Sequence, residues 1–176
     1  MTRAARLLVV VMTVASLGCS LATGPEAPPS VSRVSVMFVA PERFTDVKDS
    51  VLGSDRGTVE LLGELERFLR VAGERYVPQG RSLQIRVTDV DQAGEFEPWR
   101  GPQFDRIRIM RDLYPPRIDL EFRLTDDAGT VVKQGQRELR DPLYLTRAVF
   151  RDSDRLRYDT DLLADWLRRE FGGPGA

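Results

Sequence analysis

Histidine is absent from this chain of 176 residues, and cysteine occurs once, at Cys19. Without histidine there is no Ser-His-Asp or Cys-His nucleophile system, no ordinary near-neutral general base and none of the common zinc or iron sites. Catalysis would have to rest on carboxylates or on Lys48 and Lys133, the only lysines present. A lone cysteine also leaves the folded domain without an internal disulfide, so its stability must come from a hydrophobic core. Length permits that: about 140 residues bury roughly two-thirds of the surface that the unfolded chain exposes.

Long apolar runs are missing as well. The run from Leu7 to Leu17 is the longest, and it falls short of the roughly 20 residues that cross a bilayer as a helix. Its context gives it another meaning. Arg3 and Arg6 precede it and Gly18-Cys19-Ser20 follow, which is the charged, apolar and small-residue order of an export signal. Two cleavage readings stand side by side. Ala15-Ser16-Leu17-Gly18-Cys19 resembles a bacterial lipobox, with a small residue before a cysteine that takes a diacylglycerol, although Ser16 stands where leucine is usual. Ser20-Leu21-Ala22 offers an ordinary signal-peptidase site that would discard the cysteine. The lipidated form is the expectation, with Cys19 as the anchor point. Ser20 behind the cysteine, in place of aspartate, then suggests outer-membrane sorting, with the domain facing the periplasm.

Charge of one sign is not in excess either, with 26 basic and 27 acidic residues. Loss of Arg3 and Arg6 with the signal leaves a mature charge of −3, which argues against a nucleic-acid partner and its clustered basic face.

The expected organisation is a signal peptide over residues 1–18, a flexible tether over 19–32, one domain over 33–172 and a short tail over 173–176. The tether is read from Ala22 to Ser32, where proline and small residues replace any apolar period. In the domain, Val34, Val36 and Phe38 alternate with Ser35, Met37 and Val39, a strand apolar on both faces, as an interior strand would be. Leu61, Leu62, Leu65, Phe68, Leu69, Ala72 and Tyr76 form one helical stripe. Leu83, Ile85 and Val87 mark a half-buried strand, and a further strand is expected around Arg106–Arg111 with Ile107 and Ile109 inward. Ile118, Leu120, Phe122 and Leu124 alternate with polar residues. Asp126-Asp127-Ala128-Gly129 then turns the chain into a return strand, whose Gly135 suits a sheet edge. Leu162, Leu163, Trp166, Leu167 and Phe171 write a final helix, capped near Asp159 or Thr160 and stopped at Gly172. The fold class is α+β, in the order β-α-β-β-β-β-α, with a mostly antiparallel, mixed sheet and both helices on one face.

Candidate chemistry is sparse. Asp89, Asp91 and Glu95 form the most suggestive polar cluster, and the D-x-D-x-x-G opening is that of a calcium loop. Ala93 and Arg100 stand where the remaining oxygen ligands belong, so no metal is expected; a strand end whose aspartates cap backbone amides in the following turn is the simpler reading. No motif marks a catalytic pair or a cofactor. Phe96, Trp99 and Phe104 lie in an irregular segment with Pro98, Gly101 and Pro102, and either cover an open end of the core or meet a partner.

Several spaced motifs are shared with one family. Phe44-Thr45-Asp46, Val87-Thr88-Asp89-Val90-Asp91 with Ala93-Gly94-Glu95, Pro116-x-Ile118-x-Leu120 with Asp126 and Gly129, and Asp141-Pro142-Leu143-Tyr144 resemble domain-of-unknown-function family 3016. The resemblance covers most of residues 33–171 and implies an exported, single-domain protein. It carries over no activity, ligand or catalytic residue. The expectation is therefore a non-enzymatic envelope module, held to the membrane through a lipid on Cys19 and binding an unidentified envelope component. A carboxylate-dependent hydrolase of an envelope polymer is the alternative.

Overall fold

A computed structural model describes residues 32–146 and 154–172. The expected export signal, Cys19 and nearly all of the expected tether lie outside the described residues, as does the expected tail over 173–176. The sheet has four strands in the order β1-β2-β5-β6: β1 (Val34–Phe38), β2 (Arg81–Asp91), β5 (Arg117–Asp126) and β6 (Val131–Arg140). β1 runs parallel to β2, with the long helix α1 (Asp55–Gly73) as the crossover between them. The β2–β5 and β5–β6 pairs are antiparallel. A second helix, α2 (Arg157–Phe171), closes the fold, giving the α+β mixed sheet that the alternation requires. No helix among the described residues is long and apolar enough to cross a membrane.

Both helices pack on one sheet face. Leu83, Ile85 and Val87 of β2 and Ile118, Leu120, Phe122 and Leu124 of β5 share one core with Leu61, Leu65 and Leu69 of α1 and Leu162, Leu163, Trp166 and Leu167 of α2. Burying each such side chain is worth about 1.5–3 kcal/mol, and truncating one, as in Leu65→Ala, costs about 2–5 kcal/mol. Trp166 meets Phe122 and Phe171 edge-on, with ring centroids 5.8 and 5.7 Å away. The opposite face carries Gln84, Arg86, Glu121, Arg123 and Gln136 and stays open.

Local chemistry sets the boundaries. Ser54 caps α1, its Oγ accepting from the Gly57 amide at 2.9 Å. In the β5–β6 turn, Asp126 Oδ1 accepts from the Ala128 and Thr130 amides at 3.0 and 2.8 Å, and Gly129 supplies φ +79°. At the other end of the chain, α2 stops at Gly172.

Three expectations change in detail. β1 is an edge strand and not an interior one, so Met37 lies on the open face at 60% exposure; alternation on both sides cannot distinguish a second packed layer from an apolar residue left on the surface. The strand expected around Arg106–Arg111 shrinks to β4 (Arg108–Ile109), which pairs with β3 (Glu95–Phe96) in a separate ribbon, and Ile107 is 48% exposed. Asp159 does not cap α2: the helix starts earlier, after Leu156, and Asp159 stands in its first turn with its carboxylate bonded elsewhere.

Candidate functional site

β1 and β2 are parallel, so their carboxyl ends lie together, and the loops that leave them build the polar end of the domain. β2 carries a bulge between Val87 and Asp89. Up to Val87 the odd-numbered residues face the core; beyond the bulge Val90 is buried, and Asp89 and Asp91 turn to the open face. One extra residue in a strand re-aims the side chains after it, and here it spares two carboxylates from the core.

Strand register then sets charges in rows across the sheet. Asp89, Asp119 and Glu138 are consecutive partners on β2, β5 and β6; Asp91, Arg117 and Arg140 form the next row. Arg117 joins the two rows. Its Nη2 donates to Asp89 Oδ2 at 2.7 Å and to Thr45 Oγ1 at 3.1 Å, and it lies 3.9 Å from Asp91 and 3.6 Å from Asp119. Asp89 also accepts from the Thr45 amide and hydroxyl at 2.7 and 2.6 Å and from the Val90 amide at 2.9 Å. Asp89 thus binds backbone amides, but those of Thr45 in the loop after β1 and of Val90 within β2, not those of the turn that follows the strand. Burial pushes the carboxyls of Asp91 and Asp119 above their ordinary values, against the pull of Arg117.

Asp91 and Glu95 face one polar cleft of about 170 Å³, shared with Gln92, Tyr114, Arg117 and Arg140. Glu95 Oε1 accepts from the following amide, that of Phe96, at 2.8 Å. The cleft walls are tied by the Gly94 amide, which donates to the Tyr114 carbonyl at 3.0 Å. Gly94 holds φ +77°, and a Cβ there would stand 2.9 Å from the Ile109 carbonyl oxygen. No group of three or more acidic or sulfur ligands among the described residues is arranged to hold a metal ion.

Beneath this surface a second set of groups is buried. Arg108 Nη1 donates at 2.8 Å both to Asp46 Oδ2 and to the Gly94 carbonyl, and Nη2 reaches Gln92 Oε1 and the Lys48 carbonyl at 3.3 Å. One guanidinium thus fastens the β3–β4 ribbon to the loops after β1 and β2. Asp159, 1% exposed, accepts from the Ala93 amide at 3.3 Å through Oδ1, while Oδ2 has no partner. Burial raises its pKa to about 7; the Ala93 amide and Arg108 oppose the rise, and Asp46 adds to it. Tyr144 and Tyr158 stack edge-to-face at 4.6 Å beside Ala93, and Tyr144 donates to the Arg111 carbonyl at 2.6 Å.

The three loop aromatics separate. Phe96 is buried at 7% exposure with the Arg108 guanidinium 4.5 Å above its ring. Phe104 is half-buried under Arg100. Trp99 is 71% exposed. Next to it Glu97 is fully buried, 3.0 Å from Arg111 and 3.4 Å from Arg100. Core cover thus describes Phe96, and only Trp99 offers its ring to the outside.

Thr45, Asp46, Asp89, Asp91, Ala93, Gly94, Glu95 and Tyr144 come from three separate stretches and meet at this one end of the sheet. A family described as "Protein of unknown function (DUF3016)" matches residues 32–169. The chain belongs to that family. No curated protein and no solved structure shows significant similarity to it. For this DUF3016 member, sequence reasoning missed Arg108, Arg117, Arg140, Glu97 and Asp159 as parts of the polar end. Only Asp159 carried a local signal, its place at a helix start; the arginines gave none, because Arg117 and Arg140 are placed by strand register and Arg108 by the fold of the β3–β4 ribbon.

Proposed function

We propose that this DUF3016 domain is an exported envelope protein, anchored by a lipid on Cys19 and sorted to the outer membrane, that works as a non-enzymatic binding module. The observation that carries the reading is the engagement of two carboxylates of the polar end, Asp46 and Asp89. Asp89 and Asp46 each form close hydrogen bonds to an arginine. Asp159, whose pKa of about 7 would suit a general acid, is 1% exposed and out of reach of a polymer. A hydrolase of the glycosidase type needs two acids open to the substrate across roughly 5–9.5 Å, and close arginine pairing works against that. Trp99 adds an exposed aromatic beside Arg100, the residue types that anchor protein interfaces.

Photo-crosslinking in cells from position 99 tests the reading. A recurrent envelope partner is the expected product, and its yield should fall when the crosslinker is moved to an exposed position on α1 such as Val59. Recovery of the chain alone from position 99, or an envelope-polymer hydrolase activity that is lost on Asp91→Asn, would overturn it.

A further inference from the structure

The cleft beside Asp91 has features that the structural ion pairs leave unused. Asp91 makes only a loose contact with Arg117, at 3.9 Å, because that guanidinium is spent on Asp89 and Thr45. Arg140, across β5 in the same row, has no hydrogen-bond or ion-pair partner for its guanidinium among the described residues. A lone surface arginine is ordinary. Here it shares a walled cleft with an under-partnered carboxylate, and Glu95 adds a second acid on the Asp91 side.

Geometry limits what fits. Asp91 and Arg140 sit two strands apart, so their Cα atoms are separated by about 10 Å. The cleft volume of about 170 Å³ is well below the roughly 300–1,000 Å³ of sites for drug-sized ligands. Along one sheet row the charge changes sign, from Asp91 on β2 to Arg117 on β5 and Arg140 on β6, and Leu113, Tyr114 and Pro115 also line the cleft. Partial burial strengthens each ionic hydrogen bond made there relative to one in open water.

We propose that this cleft binds a small zwitterion, an amino acid or dipeptide, with its ammonium on Asp91 and Glu95 and its carboxylate on Arg140. A simple anion would meet the two acids, and a simple cation would meet the two arginines. Only a ligand carrying both charges satisfies both walls. The inference rests on the reading of the domain as a binding module and names a ligand class for it.

The test is a titration of the purified chain with alanylalanine, followed by NMR or calorimetry, in parallel with the N-acetylated and C-amidated dipeptides. Saturable binding of the free dipeptide is expected, weakened about tenfold or more by blocking either end, by Arg140→Gln or by Asp91→Asn. Arg140 is exposed, so its variant should fold as the parent does, and a thermal unfolding curve checks this. Equal binding of a blocked dipeptide, unchanged affinity in Arg140→Gln, or no saturation at millimolar ligand overturns the inference. Failure here together with a partner captured from Trp99 would remove this ligand and leave the binding module standing. Dipeptide binding with no captured partner would keep the cleft as a ligand site and remove only the macromolecular partner at Trp99.

Discussion

The Ala93 amide donates to Asp159 Oδ1 at 3.3 Å across 66 positions of sequence, pinning the first turn of α2 to the turn between β2 and β3. Burial holds that carboxyl's pKa at about 7, above the ordinary 3.8. In the unfolded chain it loses its proton near pH 4, in the folded protein only near pH 7. Between those values the folded state binds more protons, so this group makes stability fall as pH rises from about 4 to about 7, and level off above. Its share is at most about 4 kcal/mol. Asp159→Asn keeps an acceptor for Ala93 and carries no charge. Urea unfolding at pH 5 and pH 8 should show a smaller loss of stability for the variant than for the parent. Identical losses would remove Asp159 as the source.

Arg108 and Asp46 form the buried ion pair at the root of the β3–β4 ribbon, with side chains 12% and 7% exposed. Breaking one partner of such a pair strands the other and costs about 3–5 kcal/mol. Arg108→Ala should lower the unfolding free energy by about that much, and Arg108→Lys should recover only part of it. Four acceptors surround the planar guanidinium, and an ammonium on a single stem cannot span them. Denaturant midpoints of the two variants check the order.

Phe96 and Trp99 should part company in a stability assay. Phe96→Ala removes a buried ring and is expected to cost about 3–5 kcal/mol. Trp99→Ala, on an exposed ring, should stay within about 0.5 kcal/mol of the parent, while abolishing capture of the proposed partner by a crosslinker on a neighbouring residue. A large loss of stability in Trp99→Ala would reassign that ring to core cover.

The alternating strands and the two helical stripes were legible because burial on one face writes itself locally, at periods of 2 and 3.6. Leu83-Ile85-Val87, the Ile118 strand and the Trp166 helix are of this kind. The bulge after Val87 was not legible, since Thr88-Asp89-Val90 continues the strand composition and only the partner strand reveals the extra residue. The edge position of β1 depends likewise on what fails to pack beside it. At the polar end the acids stood out as a sequence cluster. Arg117 and Arg140 are ordinary arginines until register sets them in one row with Asp91, and Arg108 until the β3–β4 ribbon folds against Asp46.

Cys19 separates the two fates of the proposed export signal. A lipidated mature chain should begin at Cys19 and carry the added mass of diacylglycerol, and Cys19→Ala should block maturation and membrane association. Intact-mass spectrometry of the mature protein reads this directly. An unmodified chain beginning at Thr23 would show instead that the cysteine is discarded.

Two glycines should respond in opposite directions to the same added methyl group. Gly63 lies within α1, and a Cβ there meets nothing within 4 Å. Alanine at that position lowers the backbone entropy of the unfolded chain and favours the helix, so Gly63→Ala should raise stability by up to about 1 kcal/mol. Gly94 holds φ +77°, and its Cβ would stand 2.7 Å from Met110 Sδ and 2.9 Å from the Ile109 carbonyl oxygen. The thioether can swing aside, but the carbonyl belongs to β4 and moves only with the ribbon. Gly94→Ala should therefore cost at least the roughly 1–3 kcal/mol of a strained backbone, and should also displace the Gly94–Tyr114 hydrogen bond that ties the cleft walls. Thermal unfolding of the two single variants checks the signs. A stable Gly94→Ala that also kept the amide of residue 94 protected from hydrogen exchange would mean that the ribbon is looser than its hydrogen bonds to Arg108 require.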